Sequence, residues 1–250
     1  SCGPEKRNEN ELPVAQNSTK DTVKLSMNHS NDSEIYFTAT GTEPFWRLSI
    51  SNEMIKLKLL NDSIMTPHVT PIYAQDTNVK RYVLQTELAT MTIEIKQKPC
   101  TEEMSGKVSS YSVSLRYKKG INSDYSNLEG CGSYQTDYRL HDIWILEEMH
   151  GKPVDKQEFG KSVPSMEINT RSNSFTGTTG CNRMNGNIFY EKDKLRFTEM
   201  ITTKMMCLPD PTNEQTFLKA LSSAVSYKIE ANRLILSNPH QILLVWRKTD

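Results

Sequence analysis

Through most of this chain, apolar residues recur in short alternating runs of strand length, each bounded by polar turn residues, and only one stretch carries a helical repeat. That pattern favours antiparallel sheets or barrels. Residues 34–40, 46–50, 54–60, 81–84, 91–96 and 111–117 read as strands of a first unit, with Ser51-Asn52-Glu53 as one of the turns. A second unit opens at Ile143-Trp144-Ile145-Leu146, turns at Gly151-Lys152-Pro153, and continues through 165–170, 174–178, 187–190, 194–197, 226–230, 233–237 and 241–247. The helix is expected over 212–225. Thr212 and Gln215 have capping-box spacing, and Phe217, Leu218, Leu221 and Val225 share one face. The expected fold class is α+β, mostly β: two small antiparallel β-rich domains at 32–138 and 139–250, the second with one principal helix.

Charge and hydropathy narrow the function classes. Thirty Lys and Arg balance thirty Asp and Glu in 250 residues, so no overall field draws the chain to nucleic acid, and no nucleic-acid partner is expected. The apolar run Ile242-Leu243-Leu244-Val245-Trp246 is far shorter than the roughly 20 residues a bilayer-spanning helix needs.

Residues 1–31 are polar and rich in Asn, Lys, Glu, Ser and Thr, the composition of a flexible tether, and Cys2 lies near their start. A cysteine in that setting resembles the mature end of a bacterial lipoprotein, in which a signal peptide is cut before a lipid-bearing cysteine. The resemblance implies lipid attachment at Cys2, a membrane partner through that anchor, and a place in the bacterial cell envelope. A stray cysteine in a polar tail is the plain alternative.

Two longer resemblances follow from motifs. Trp144 with Gly151-Lys152-Pro153, Phe175-Thr176-Gly177, Gly180-Cys181-Asn182-Arg183-Met184-Asn185-Gly186, Thr202-Thr203-Lys204-Met205-Met206-Cys207, Glu214, Phe217-Leu218 and Leu234-Ile235-Leu236 together resemble the META domain of the HslJ type over about residues 141–248. The resemblance implies a small envelope-associated α+β domain, linked to stress tolerance and without established catalytic chemistry. The first unit, with Gly41-Thr42-Glu43-Pro44-Phe45-Trp46, Cys100, Met104-Ser105 and Gly130-Cys131-Gly132, resembles a domain of bacterial lipoproteins found beside META modules. Where those relatives carry Tyr-Pro after the Met-Ser pair, this chain has Ser110-Tyr111-Ser112.

Cys100 with Cys131, and Cys181 with Cys207, account for every cysteine but Cys2 if each unit carries one local disulfide. In an oxidising compartment each bridge would stabilise its domain by roughly 2–4 kcal/mol. The competing chemistry is soft-metal binding: Cys181, Met184, Met205, Met206 and Cys207 are ligand types that suit Cu(I), although methionines also fill irregular cores.

No residue set selects a catalytic mechanism. His29 lies in the tether, and His68, His141, His150 and His240 stand in no triad or metalloprotease context. Gly177-Thr178-Thr179-Gly180 lacks the Lys-Ser/Thr of a phosphate loop. Glu43 is a candidate buried carboxylate with a tuned pKa, although such a residue more often accepts backbone hydrogen bonds and fixes a turn; Trp46 is a candidate contact beside it, and Asn182 and Arg183 are candidates for a polar turn that braces carbonyls or meets a ligand. The sequence therefore points to a non-enzymatic envelope binding or interaction protein, with no cofactor. Copper handling, or service as inhibitor or accessory to an envelope enzyme partner, stand as alternatives.

Overall fold

The computed structural model describes residues 35–120, 122–206 and 212–249, and these described residues belong to one compact unit. Its strands divide into two large antiparallel sheets with separate hydrophobic cores, in keeping with the mostly-β expectation. Among the described residues no helix is long and apolar enough to cross a membrane.

The first sheet is built from β1 (Ile35–Thr42), β2 (Phe45–Ser51), β3 (Met54–Leu59), β4 (Ser63–Pro67), β5 (Ile72–Tyr73), β6 (Val79–Gln85), β7 (Ala89–Lys96), β10 (Tyr111–Lys119) and β11 (Ser126–Tyr134). The short strands β8 (Cys100–Thr101) and β9 (Val108–Ser109) form a separate hairpin. The order is β4-β3-β2-β1-β11-β10-β7-β6-β5. Period-two burial explains the strands: along β7, Ala89, Met91, Ile93 and Ile95 are buried while Thr90, Thr92 and Glu94 are only half-buried. The sheet is strongly coiled. Strands β1 and β6 stand four positions apart, about 19 Å on a flat sheet, yet the Tyr36 and Tyr82 hydroxyls meet at 3.2 Å.

The second sheet comprises β12 (Ile143–Met149), β13 (Lys152–Pro153), β14 (Ser165–Asn169), β15 (Ser174–Thr178), β16 (Arg183–Glu191), β17 (Lys194–Thr202), β18 (Ser226–Glu230), β19 (Arg233–Ser237) and β20 (Ile242–Lys248). Strand β12 pairs with both β14 and β20, which closes the sheet into a barrel and leaves β13 as a short annex. Closure removes the exposed edges that an open sheet would offer to other chains.

The helix α1 (Thr212–Ser223) lies between β17 and β18. Phe217, Ala220 and Leu221 carry its apolar stripe into the barrel core, with Ala224 just past its end, and the Phe217 ring meets Phe159 and Trp246 edge-on. It stops two residues before the expected end because the Val225 N–H donates to Ser237 O at 2.9 Å, so the chain is already in sheet geometry there.

Candidate functional site

The first motif builds a packing device. The Glu43–Pro44 peptide is cis, and the turn it makes joins β1 to β2, leaving Glu43 exposed and Trp46 fully buried. Glu43 is thus an exposed turn residue rather than a buried carboxylate. The Trp46 indole lies against two glycines: a Cβ on Gly41 would sit 2.1 Å from its Nε1, and one on Gly130 would sit 2.7 Å from its Cζ2. Its Nε1–H donates to Glu129 O at 3.3 Å. Trp46 therefore pins β2 to β11 from inside the sheet and has no surface to offer a ligand. On the other face the Cys100–Cys131 disulfide, with Cα atoms 5.4 Å apart, ties the β8–β9 hairpin to β11.

The second motif is also turned inward. Gly180, with φ +99°, lies in the turn between β15 and β16, a conformation that favours glycine, and places Asn182 in a buried position. The Asn182 side chain donates to both carboxylate oxygens of Glu214 at 2.9 and 3.1 Å. It accepts from the Thr203 hydroxyl at 2.8 Å and from Met205 N–H at 2.7 Å. The Thr179 hydroxyl donates to Glu214 as well. This network joins the β15–β16 turn, the end of β17 and the first turn of α1. Asn182 therefore braces three chain segments, whereas Arg183 is exposed at the start of β16.

The soft-metal set is dispersed by the same turn. Cys181 is disulfide-bonded, while Cys207, its expected partner, and Cys2 lie outside the described residues. Met184 is 1% exposed within the barrel core, whereas Met206 is 92% exposed and Met205 48%. Met184 and Met206 thus do not share an environment, and Cys181 is held as disulfide sulfur with no thiolate to offer.

The most concentrated polar chemistry lies where the two sheets meet, at residues no motif marked. Glu191, at the end of β16, reaches into the open interior of the first sheet. One oxygen accepts from Lys80 Nζ at 2.9 Å, and the other from the Tyr111 hydroxyl at 2.5 Å and Asn78 Nδ2 at 2.6 Å. Glu191 is 3% exposed and Lys80 5%. The Lys80 ammonium also lies 5.2 Å from the centre of the Tyr134 ring. One residue along the hairpin, Lys192 Nζ stands 4.6 Å above the Tyr36 ring, and Tyr36 in turn bonds His68 Nε2 at 2.9 Å.

Electrostatics follow from that enclosure. Burial works against the Glu191 charge, but the Tyr111 hydroxyl, Lys80 and Asn78 outweigh it and hold the carboxyl below its ordinary range. Burial also lowers Lys80, opposed by its bond to Glu191, and burial then Lys192 lower His68. A signal for this site did exist in the sequence: in Val79-Lys80-Arg81-Tyr82-Val83-Leu84-Gln85, Lys80 shares the parity of the buried Tyr82 and Leu84. An inward lysine requires a partner. Nothing local identifies that partner, since Glu191 lies 111 residues away.

No curated protein matches the chain. Among solved structures, one determined by NMR is 26% identical over 44% of this chain and 90% of its own, with a TM-score of 0.36. An NMR structure of a protein from Burkholderia xenovorans is 20% identical over 44% and 82%, with a TM-score of 0.35. A crystal structure of a DUF4847 family protein from Bacteroides vulgatus is 14% identical over 44% and 96%, with a TM-score of 0.33. Residues 136–250, which contain the whole closed barrel and its helix, match the META domain family.

Proposed function

We propose that this chain is a non-enzymatic binding protein of the bacterial cell envelope, displayed from a lipid on Cys2. The observation that supports the non-enzymatic reading is that the carboxylates of the two polar networks are each held by neighbouring donors. Glu191 is saturated by Lys80, Tyr111 and Asn78, and Glu214 is held by Asn182 and Thr179. A carboxylate locked by two or three donors is a poor general base, because proton uptake must first break those bonds. The META match over residues 136–250 and the Cys100–Cys131 disulfide accord with an exported scaffold protein. The polar composition of residues 3–31 supports the tether.

Two measurements test this reading. Palmitate labelling of the protein in a bacterial host is expected to depend on Cys2, and label retained in Cys2→Ala would refute the anchor. Ester, phosphoester, glycoside and peptide substrates are expected to turn over no faster than in buffer. A rate abolished by replacing one side chain of this protein would refute the binding reading.

A further inference from the structure

The outward face of the first sheet carries a cleft of about 720 Å³ between β1, β2, β3 and the disulfide-tied β8–β9 hairpin. Register puts its charged residues side by side. Arg47 on β2 lies directly opposite Lys58 on β3, and Ser49 opposite Lys56, while Thr40 and Thr38 of β1 flank the same rows. Lys107, from the segment joining β8 to β9, lines the cleft on the hairpin side. Four cations thus meet one acid, Glu102, which is itself engaged by the Ser105 hydroxyl at 2.7 Å.

Elsewhere on this sheet, Arg81 and Lys96 both pair with Glu94, Lys119 pairs with Asp62, and Arg116 lies 4.1 Å from the centre of the Tyr125 ring. Among the described residues Arg47, Lys56, Lys58 and Lys107 form no such pair. Like charges directly opposite on neighbouring strands repel, and an anion between them turns that repulsion into attraction. The imbalance is local, because the whole chain has no net charge.

We propose that this cleft binds a ligand carrying two or more phosphate groups. The assignment rests on the reading of the chain as a binding protein. Three of the four cations are lysines, which act as point charges with three donors each, and Arg47 adds a planar fork that can bind phosphate oxygens in pairs. Hydroxyls of Thr38, Thr40, Ser49 and Ser133 supply further donors on the cleft wall, a set suited to groups with many acceptor oxygens. The site is recessed beside a hairpin, which favours a discrete ligand over a flat lipid surface. The Cys100–Cys131 bond gains a role here, since it holds the hairpin that carries Lys107 against β11.

Calorimetric titration of the oxidised full chain with tripolyphosphate at low ionic strength tests the assignment. Saturable binding is expected, weakening with added salt because the contacts are exposed. Replacing Arg47→Gln together with Lys58→Gln is expected to weaken it by roughly tenfold or more. The pair Arg81→Gln and Lys96→Gln, on the same sheet but outside the cleft, is expected to leave affinity unchanged. Thermal melting of the Arg47/Lys58 variant should match or exceed that of the parent, since a repulsive pair is removed. Absent binding, or equal weakening by both pairs, would overturn the assignment. Citrate bound as tightly as tripolyphosphate would overturn the phosphate class. Capture on phosphatidylglycerol vesicles that tripolyphosphate cannot displace would overturn it in favour of a membrane surface. Release of orthophosphate from bound tripolyphosphate would instead support the cleft and overturn the binding-only reading.

Discussion

Replacing Glu191 by Gln strands Lys80, and the cost of that change is set by pH. Lys80 is 5% exposed, and Glu191 is its one ion-pair partner among the described residues. With the carboxylate gone, a buried ammonium faces tyrosine rings and the Asn78 amide, an environment that cannot repay its lost hydration. The lysine escapes by shedding its proton. From an ordinary lysine pKa near 10.4, that costs about 4.6 kcal/mol at pH 7 and about 1.9 kcal/mol at pH 9. These figures are ceilings on the electrostatic penalty. The value at pH 7 falls in the range of about 3–5 kcal/mol found when one member of a buried pair is removed.

The sign follows from proton counting. In the variant the folded state holds a neutral Lys80 and the unfolded state a protonated one, so stability rises with pH, by at most about 1.4 kcal/mol per unit, until the unfolded lysine also titrates. Urea unfolding of parent and Glu191→Gln at pH 7 and 9, with disulfides intact, should therefore show the deficit shrinking by up to about 2.7 kcal/mol. Replacing both partners, Lys80→Met with Glu191→Leu, should recover part of the stability, because no buried charge is left, while the Tyr111 hydroxyl and the Asn78 amide lose an acceptor. A deficit that does not change with pH, or a double variant no better than Glu191→Gln, would refute this account. On the acid side, the parent's Glu191 contribution is present above the unfolded carboxyl's pKa near 4.3 and is lost as pH falls through the lower folded value.

Outcomes for five further variants follow from the packing. Gly41→Ala drives a methyl into Trp46 Nε1 and Glu129 O and should cost about 2–3 kcal/mol in thermal unfolding. Gly106→Ala, with φ +68° and open space around it, should cost about 1 kcal/mol. Asn182→Ala leaves Glu214, Thr203 and the Met205 N–H short of partners and should cost about 3 kcal/mol. Asn182→Asp sets a new carboxylate against Glu214, so its stability should fall relative to the alanine variant's as pH rises above the unfolded aspartate's pKa near 3.9, as read by chemical unfolding. Cys131→Ser opens a bridge spanning 31 residues, which chain entropy values at about 3.7 kcal/mol. Its melting point should match that of the reduced parent if Cys100–Cys131 dominates the redox effect.

Residues in regular alternation were legible from the sequence, and residues shaped by a distant neighbour were not. Strand β7 shows its face at every second position, so 91–96 is readable as a strand. Strand β11 was hidden: Ser126–Tyr134 contains Gly130-Cys131-Gly132, which reads as a turn. The glycines are there because rings lie flat on the strand. A Cβ on Gly130 would strike Thr40 O at 2.1 Å, and one on Gly132 would strike the Phe37 ring at 2.5 Å. The same holds where β16 runs through Asn185-Gly186-Asn187, since a Cβ on Gly186 would lie 2.7 Å from the Phe175 ring. A glycine inside a sheet thus records the bulk of a residue far along the chain, and composition alone cannot separate it from a turn glycine.

That distinction changes what the two motifs mean. Their tryptophan, glycines, cysteines and asparagine resemble a ligand site in sequence because they are unusual residues in fixed order. In the fold they are unusual because each satisfies a tight steric or hydrogen-bonding demand: Trp46 between two glycines, Asn182 among three chain segments. The charges of the outer cleft are ordinary one by one, and only cross-strand register brings Arg47 against Lys58. A pairing register is fixed by the buried face, here Leu48 against Leu57 and Ile50 against Ile55. A slip of β3 by one residue would turn Leu57 and Ile55 outward and Lys56 and Lys58 inward. The apolar core therefore holds the cationic surface in place, and variants that loosen β2–β3 packing, such as Leu57→Ala, should weaken tripolyphosphate binding in proportion to the register lost while leaving every charged residue present.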